Sequence, residues 1–312
     1  MSNHCLSYGR LAAVSGLLAL AFSGAGVAVG YVPAAAPSAA IAARDSATGT
    51  YTYQTLDFPG ASQTIFWGLN DSGQLAGQYA IDGGTAHAMA YRHGQFEALD
   101  PSVMGDYFSA AGGPTDVGTT FGGYTDSSGL QHGFLLRRGQ LETVDFTGHL
   151  NSNVDGLNLL GTILGVYWDA DGVYHGVVQR GGNNTFFDVS GALDTYPLGI
   201  NNKGESVGYW DTSTQQPQGF YRGAGGRIST VSVPEALSTV AFGINDSGQI
   251  TGYFVDSSDA VHGFVETGTQ VLQLDVPGSY GTIATAINNS GTVAGEYIDS
   301  TGARHGFVAT PQ

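Results

Sequence analysis

Three observations predict an all-β chain, and within that class a six-bladed β-propeller of four-stranded blades. A short phrase recurs six times, each interval holds four β-type runs, and the two chain ends are complementary parts of one further unit. The phrase reads His87-Ala88-Met89, His132-Gly133-Phe134, His175-Gly176-Val177, Gln218-Gly219-Phe220, His262-Gly263-Phe264 and His305-Gly306-Phe307, with steps of 45, 43, 43, 44 and 43 residues. A unit of that size cannot bury its apolar face alone and must stack on a neighbour.

In the first unit the runs are Thr64 to Leu69, Gln74 to Ala80, His87 to Arg92 and Gln95 to Leu99. Turn residues separate them. The first turn, Asn70-Asp71-Ser72-Gly73, returns as Asn201-Asn202-Lys203-Gly204, Asn245-Asp246-Ser247-Gly248 and Asn288-Asn289-Ser290-Gly291. Asn bonds to its own backbone and Gly supplies a positive φ, which is hairpin chemistry. The second turn is Asp126-Ser127-Ser128-Gly129, echoed at Asp169 and Asp299. The fourth run leads into Leu56-Asp57-Phe58-Pro59-Gly60 or Leu274-Asp275-Val276-Pro277-Gly278. Proline cannot donate to a ladder, so the strand stops there and the chain crosses to the next unit.

Four antiparallel strands in 40 to 45 residues make one propeller blade. Tyr51 to Phe58 matches a fourth strand with no first three, and His305 to Thr310 a third strand with no fourth. The N-terminal strand is therefore expected to pair with the C-terminal strands, close the ring and hide both sheet edges. A linear solenoid of the same units needs capping repeats, and none is visible.

The propeller is assigned to residues 51–310. Before it, residues 1–40 read as a secretory signal peptide with a small-residue stretch: Arg10, then an apolar run from Leu11 to Val29, then Ala- and Pro-rich sequence. Residues 41–50 read as a linker. An uncleaved anchor is the alternative, but no stop-transfer charge cluster follows the apolar run. Cys5 is the single cysteine, so the cleaved chain holds no disulfide. The expected location is secreted or periplasmic, with no stable membrane insertion after cleavage, and as a monomer.

The 312 residues carry a net charge of −16, and Lys203 is the only lysine. A phosphate backbone needs clustered Lys and Arg, which excludes nucleic acid as a partner. Glycine, at 49 copies, follows no collagen period and marks many tight turns.

The His-x-[Phe/Met/Val] phrase, the Gly-Ile-Asn-x-x-Gly turn (Gly199 to Gly204, Gly243 to Gly248) and the Leu-Asp-Phe-Pro-Gly element together resemble the HAF repeats of bacterial extracellular proteins. The match covers roughly residues 51 to 310. It departs at Gln218, at Ser232 and around residues 103 to 118. The resemblance implies secretion and a repeat fold, and it transfers no catalytic residue.

Several residue sets carry possible chemistry. His87, His132, His175, His262 and His305 open the third strand of their units. Asp57, Asp100, Asp145, Asp188 and Asp275 start the crossovers on the same face, and Asp82, Asp126, Asp169, Asp256 and Asp299 occupy its other loops. A ring of cation sites is one reading. A strand-tying hydrogen bond repeated in each blade is preferred, because catalysis needs one asymmetric constellation. An aromatic column (Tyr79, Tyr124, Tyr167, Trp210, Phe254, Tyr297) lies two residues after a Gly column. Packing between adjacent blades is expected of it, with Gly admitting the neighbouring sheet. Asp169 and Asp171 have the opening spacing of a calcium loop, but no bidentate Glu follows. No cofactor is expected, calcium being the sole candidate.

The repeat breaks in residues 102–117 and 146–159, taken as irregular loops meeting at one rim. They supply a candidate binding face of Asp106, Tyr107, Phe108, Asp116, His149 and Asp155. No Gly-x-Ser-x-Gly, His-Glu-x-x-His or phosphate loop is found, and the catalytic residues are unknown. The expected function is a non-catalytic binding or scaffold module for a glycan or extracellular protein. A polymer-acting hydrolase or lyase with its site in the two irregular stretches is the alternative. A purely structural envelope protein is the third reading.

Overall fold

The computed structural model describes residues 50–81, 86–99, 108–146, 151–214 and 216–312. They belong to the unit Asp45–Gln312, the other unit being Met1–Arg44. The expected leader, the linker up to residue 49, and Asp82, Asp100, Asp106, Tyr107 and His149 lie outside the described residues.

Described residues form twenty-four strands, in chain order β1 (Tyr51–Thr55), β2 (Gln63–Leu69), β3 (Leu75–Ala80), β4 (His87–Arg92), β5 (Gln95–Ala98), β6 (Phe108–Pro114), β7 (Thr120–Thr125), β8 (Gln131–Arg137), β9 (Gln140–Val144), β10 (Asn151–Leu157), β11 (Ile163–Trp168) and β12 (Tyr174–Arg180). They continue as β13 (Asn183–Phe187), β14 (Asp194–Ile200), β15 (Ser206–Asp211), β16 (Gln218–Arg222), β17 (Ile228–Val231), β18 (Ser238–Ile244), β19 (Ile250–Val255), β20 (Val261–Thr267), β21 (Gln270–Leu274), β22 (Gly281–Ile287), β23 (Val293–Ile298) and β24 (Arg304–Pro311).

Four sheets hold four antiparallel strands each, β6 to β9, β10 to β13, β14 to β17 and β18 to β21. The fifth sheet has eight strands. Within it β2 to β5 form one antiparallel run, and β22, β23 and β24 form another, which β1 extends by pairing with β24 from Tyr51↔Pro311 to Thr55↔Phe307. A single parallel bridge, Gln63↔Arg304, joins the two runs. The first strands β2, β6, β10, β14, β18 and β22 each lie against the first strand of the next repeat, and β22 lies against β2.

The recurring phrase supplies the core. Its third residue, Met89, Phe134, Val177, Phe220, Phe264 or Phe307, is fully buried in every repeat. Each such side chain stabilises the fold by about 1.5–3 kcal/mol. The apolar clusters straddle consecutive sheets, as where Val207 and Val231 meet Ala241, Ile250, Phe254 and Phe264. At four crossovers a threonine closes the entry to the next first strand. The main-chain N–H groups of Phe58, Val189, Val233 and Val276 donate to the hydroxyls of Thr64, Thr195, Thr239 and Thr282 at 3.0–3.1 Å.

The stretches 102–117 and 146–159 differ from the expectation. Each contains a first strand, β6 or β10, followed by a turn at the opposite end of the sheet. Their described parts, 108–117 and 151–159, are therefore strand and turn and not rim loop, while 102–107 and 147–150 lie outside the described residues. In the first stretch the repeat pattern is weak because Gly112, Gly113 and Pro114 replace the usual strand residues.

Candidate functional site

Two constellations draw on successive repeats. The first is a histidine held between two aspartates. His132 Nδ1 lies 2.8 Å from the crossover carboxylate of Asp145, and its Nε2 3.3 Å from the loop carboxylate of Asp126. His175 repeats this with Asp188 at 3.0 Å and Asp169 at 3.5 Å. His262 lies between Asp275 at 2.9 Å and Asp256 at 3.6 Å. His305 lies between Asp57 at 2.8 Å and Asp299 at 3.4 Å. The loop aspartate also shapes its own turn, since Asp126 Oδ1 accepts the N–H groups of Ser128 and Leu130 at 2.8 and 2.9 Å.

Each imidazole is covered by the aromatic ring across from it in the same sheet. Centroid separations are 5.2 Å for Tyr124–His132, 4.9 Å for Tyr167–His175, 5.2 Å for Phe254–His262 and 5.0 Å for Tyr297–His305. Tyr79 stands 5.4 Å from His87. The aromatic column thus faces the histidine of its own sheet as well as packing against the preceding one, where Phe254 joins Val207 and Val231 and Tyr167 joins Leu135 and Val144. It also meets the preceding crossover, as in the Phe58–Tyr79 stack at 3.7 Å.

Burial pulls the His132 and His305 pKa values down, but hydrogen bonds to Asp145 and Asp126, and to Asp57 and Asp299, outweigh it and leave both raised. For His262 the hydrogen bond to Asp275 is the largest influence, and its pKa is also raised. Asp169 Oδ1 accepts the N–H groups of Asp171 and Val173 at 2.9 and 3.0 Å, so the candidate calcium pair forms a turn. Among the described residues no group of three or more His, Cys, Asp or Glu is placed to hold a metal ion.

The second constellation lies where the first strands converge. Each of them carries a register shift against its partner, at Phe66/Gly68, Val154/Gly156, Pro197/Gly199, Ala241/Gly243 and Ala284/Ala286. β6 shifts twice, at Ser109/Ala111 and Gly112/Pro114. A bulged residue has no cross-strand partner, and the bulge re-aims its side chain. The residues so released, Trp67, Asp155, Leu198, Phe242 and Thr285, line one cavity of about 160 Å³ together with Gly112 and Gly113. The bulge also accounts for the Gly column. It brings the Val240 carbonyl so close that a Cβ on Gly252 would sit 1.9 Å from it. The crowding atom belongs to the same sheet, not to the neighbouring one as expected.

Asparagines tie the repeats together around this cavity. Asn158, Asn201, Asn245 and Asn288 each donate Nδ2 to the main-chain carbonyl of the next repeat's asparagine, at 3.0–3.1 Å, and Asn288 donates to Asn70. Asn70 donates to Thr115 at a longer 3.4 Å. The next residue of each turn forms a second chain of bonds. Asn289 gives both N–H groups to the Asp71 carboxylate at 2.8 Å, and Asn202 does the same to Asp246. The Asp71 N–H donates to Asp116 at 2.8 Å. Leu159 interrupts this second chain, having no side-chain acceptor.

Asp155 is the carboxyl among the bulge residues. Its Oδ1 accepts a hydrogen bond from Asn153 Nδ2. Its Oδ2 is closed off from solvent without a protein partner, as is the indole N–H of Trp67. The residue keeps some surface towards the cavity, but burial of the carboxyl pushes its pKa up to about 8, against the opposing pull of Asn153. An acid in this setting is neutral when empty and ionises when a cation stands beside it.

Of the candidate binding face, Asp116 and Asp155 both line the cavity. Phe108 opens β6, and Asp106, Tyr107 and His149 are outside the described residues. Trp67, Phe242 and the asparagine chain were not singled out from sequence. Their signal was the one variable residue before each Gly-x-Asn, visible in Trp67-Gly68-Leu69-Asn70 and Phe242-Gly243-Ile244-Asn245.

No family model matches the sequence, and no curated protein is similar to it. Solved structures are. A TolB-type protein from Agrobacterium tumefaciens shares 13% identity over 79% of this chain and 90% of that one, with a TM-score of 0.56. AofleA from Arthrobotrys oligospora shares 14% over 85% and 88%, with a TM-score of 0.55. TolB from Acinetobacter baumannii shares 14% over 77% and 64%, with a TM-score of 0.53. Identities this low establish the fold alone. The class so defined is an all-β, propeller-like protein of repeated four-stranded sheets.

Proposed function

We propose that this chain closes into a six-bladed propeller and acts as a non-catalytic binding module, taking its ligand at the axial cavity. The observation that carries this reading is the set of bulges. The clamps repeat the same residues, whereas the bulges deliver a different side chain from almost every repeat to one concave place. Asymmetry of that kind is what recognition of one ligand requires. Closure is supported by the β1–β24 pairing and by the Asn288–Asn70 bond.

A hydrolase of the usual two-carboxyl type needs a second acid beside the first. The other acids lining the cavity, Asp71, Asp116 and Asp246, are engaged by N–H groups of the turns, which favours binding over catalysis. The apolar stretch in residues 1–40 supports export, and hence an extracellular or periplasmic ligand. The HAF resemblance is retained as part of the proposal.

The test is a screen of the purified protein against glycan and peptide arrays, repeated with Leu198→Trp to fill the cavity. Binding lost on filling, with the melting temperature kept, supports the axial site. Undiminished binding moves the site to the crossover face.

A further inference from the structure

The inference rests on the axial-site reading and names its ligand. We infer that the cavity takes the cationic head of a peptide, a lysine or arginine side chain, while an apolar residue beside it lies on one lip of the mouth.

Charge is the first argument. The titratable side chains lining the cavity are Asp71, Asp116, Asp155 and Asp246, all carboxyl groups. Lys203, on a neighbouring turn, acts on Asp246. A rim of one sign over a low-dielectric cavity concentrates the field and draws counter-ions in. At its wall Asp155 holds a closed-off oxygen with no partner. A cation in the cavity favours the ionised form of that carboxyl through the field across the wall.

Ring geometry is the second argument. Trp67 and Phe242 come from different repeats, and their centroids lie 6.1 Å apart at 42°. Both line the cavity. An aromatic pair in a cavity that also holds a carboxyl residue suits an ammonium or guanidinium group.

The lip is the third argument, and it selects a peptide over a free amine or an amino sugar. In four repeats the two residues after the turn asparagine are polar: Asp71-Ser72, Asn202-Lys203, Asp246-Ser247 and Asn289-Ser290. In two consecutive repeats they become Asp116-Val117 and Leu159-Leu160. Val117 is 76% exposed, Leu159 49% and Leu160 78%. Three aliphatic side chains on adjoining turns, two of them on the repeat that carries Asp155, present an apolar surface on one side. Sugars are met by aromatic rings and polar groups. Aliphatic chains fit an apolar residue next to the basic one.

The experiment is calorimetric titration of the protein with the blocked peptide Gly-Lys-Leu-Leu-Gly, its norleucine-for-lysine analogue, its serine-for-leucine analogue, and glucosamine. The lysine peptide is expected to bind at least tenfold more tightly than either analogue and than glucosamine. Asp155→Asn should remove at least tenfold of that affinity. Leu159→Ser with Leu160→Ser should weaken the peptide and leave the serine-for-leucine analogue unchanged. Because Asp155 must release its proton, affinity should rise between pH 6 and pH 8, where lysine stays charged. Equal binding of the norleucine peptide overturns the cation assignment. Equal or better binding of glucosamine overturns the peptide assignment. A lysine peptide that binds undisturbed by Leu198→Trp overturns the axial site itself. Failure of every peptide to bind, while an array ligand still depends on Leu198, overturns this inference and leaves the binding-module reading standing.

Discussion

The side-chain amide of Asn288 donates to the main-chain carbonyl of Asn70 at 3.1 Å, across 218 positions of sequence. Asn288 Oδ1 accepts at the same time from Ser290 and Thr292 of its own turn, at 3.1 and 3.0 Å. One side chain thus shapes a hairpin and fastens the last repeat to the first. Asn288→Ala removes the bond between repeats, leaving the Asn70 carbonyl with the Gly73 N–H alone, and takes the side-chain acceptor from two turn N–H groups. The expected loss is about 2–4 kcal/mol, read from the midpoint of urea unfolding. Asn70→Thr, which copies Thr115, should lose less than Asn288→Ala.

The clamps make stability depend on pH in a stated direction. The folded-state pKa values of His132, His262 and His305 are raised, so their contribution is full below the unfolded value of about 6.5 and is lost as pH rises through the folded values. Hydrogen bonds from Thr301 take Asp299 down to about 2, against partial burial, and Asp169 and Asp256 are also lowered, so the aspartate contribution is lost only in strong acid. Melting temperatures measured from pH 5 to 9 should fall across neutrality. Replacing the three histidines with Gln, as Gln218 does naturally, should flatten that fall.

Asp155 has the opposite sign. Its carboxyl ionises near the ordinary value of 3.8 when unfolded and only near 8 when folded, so the native state loses stability as pH rises between them. Asp155→Asn removes that loss. The variant should be more stable than the parent by on the order of 2–4 kcal/mol at pH 8 and about equal to it at pH 4. Denaturant titrations at the two values check this. An unchanged stability at pH 8 would show that water reaches the carboxyl.

Gly252→Ala places its Cβ 1.9 Å from the Val240 carbonyl. Relief requires the bulge to move, at a cost of about 3 kcal/mol or more. The variant should melt well below Ser290→Ala, a change on a surface turn. Circular dichroism melts of the two proteins decide it.

Strand boundaries, turns and the His–Asp pairing were legible because their signals repeat. Gln95 to Leu99 was read as a strand and Gln95–Ala98 is one. The positive φ of Gly73, Gly204, Gly248 and Gly291 follows from the Asn-x-x-Gly turns. The axial cavity was not legible, because its residues are the ones that do not repeat. Asp155 was marked for breaking the pattern, but its neighbours there were sought in sequence-adjacent loops. Its true companions, Trp67 and Phe242, are 88 and 87 positions away on either side, and convergence of separate first strands brings them near it. Gly77 and Gly252 were assigned to inter-sheet contact because a bulge in the paired strand leaves no mark of its own on a glycine column.

Each bulge residue is outside the strand ladder, so nothing about sheet pairing dictates its identity. Natural divergence and laboratory libraries can both exploit that freedom. Trp67, Gly113, Asp155, Leu198, Phe242 and Thr285 form a palette of six tiles set into a frame of repeated borders. A paralogue that exchanged two tiles would keep its scaffold and acquire a different taste in ligands. Among proteins built on this repeat, the letters at the six bulges become a compact address by which binding preference can be sorted.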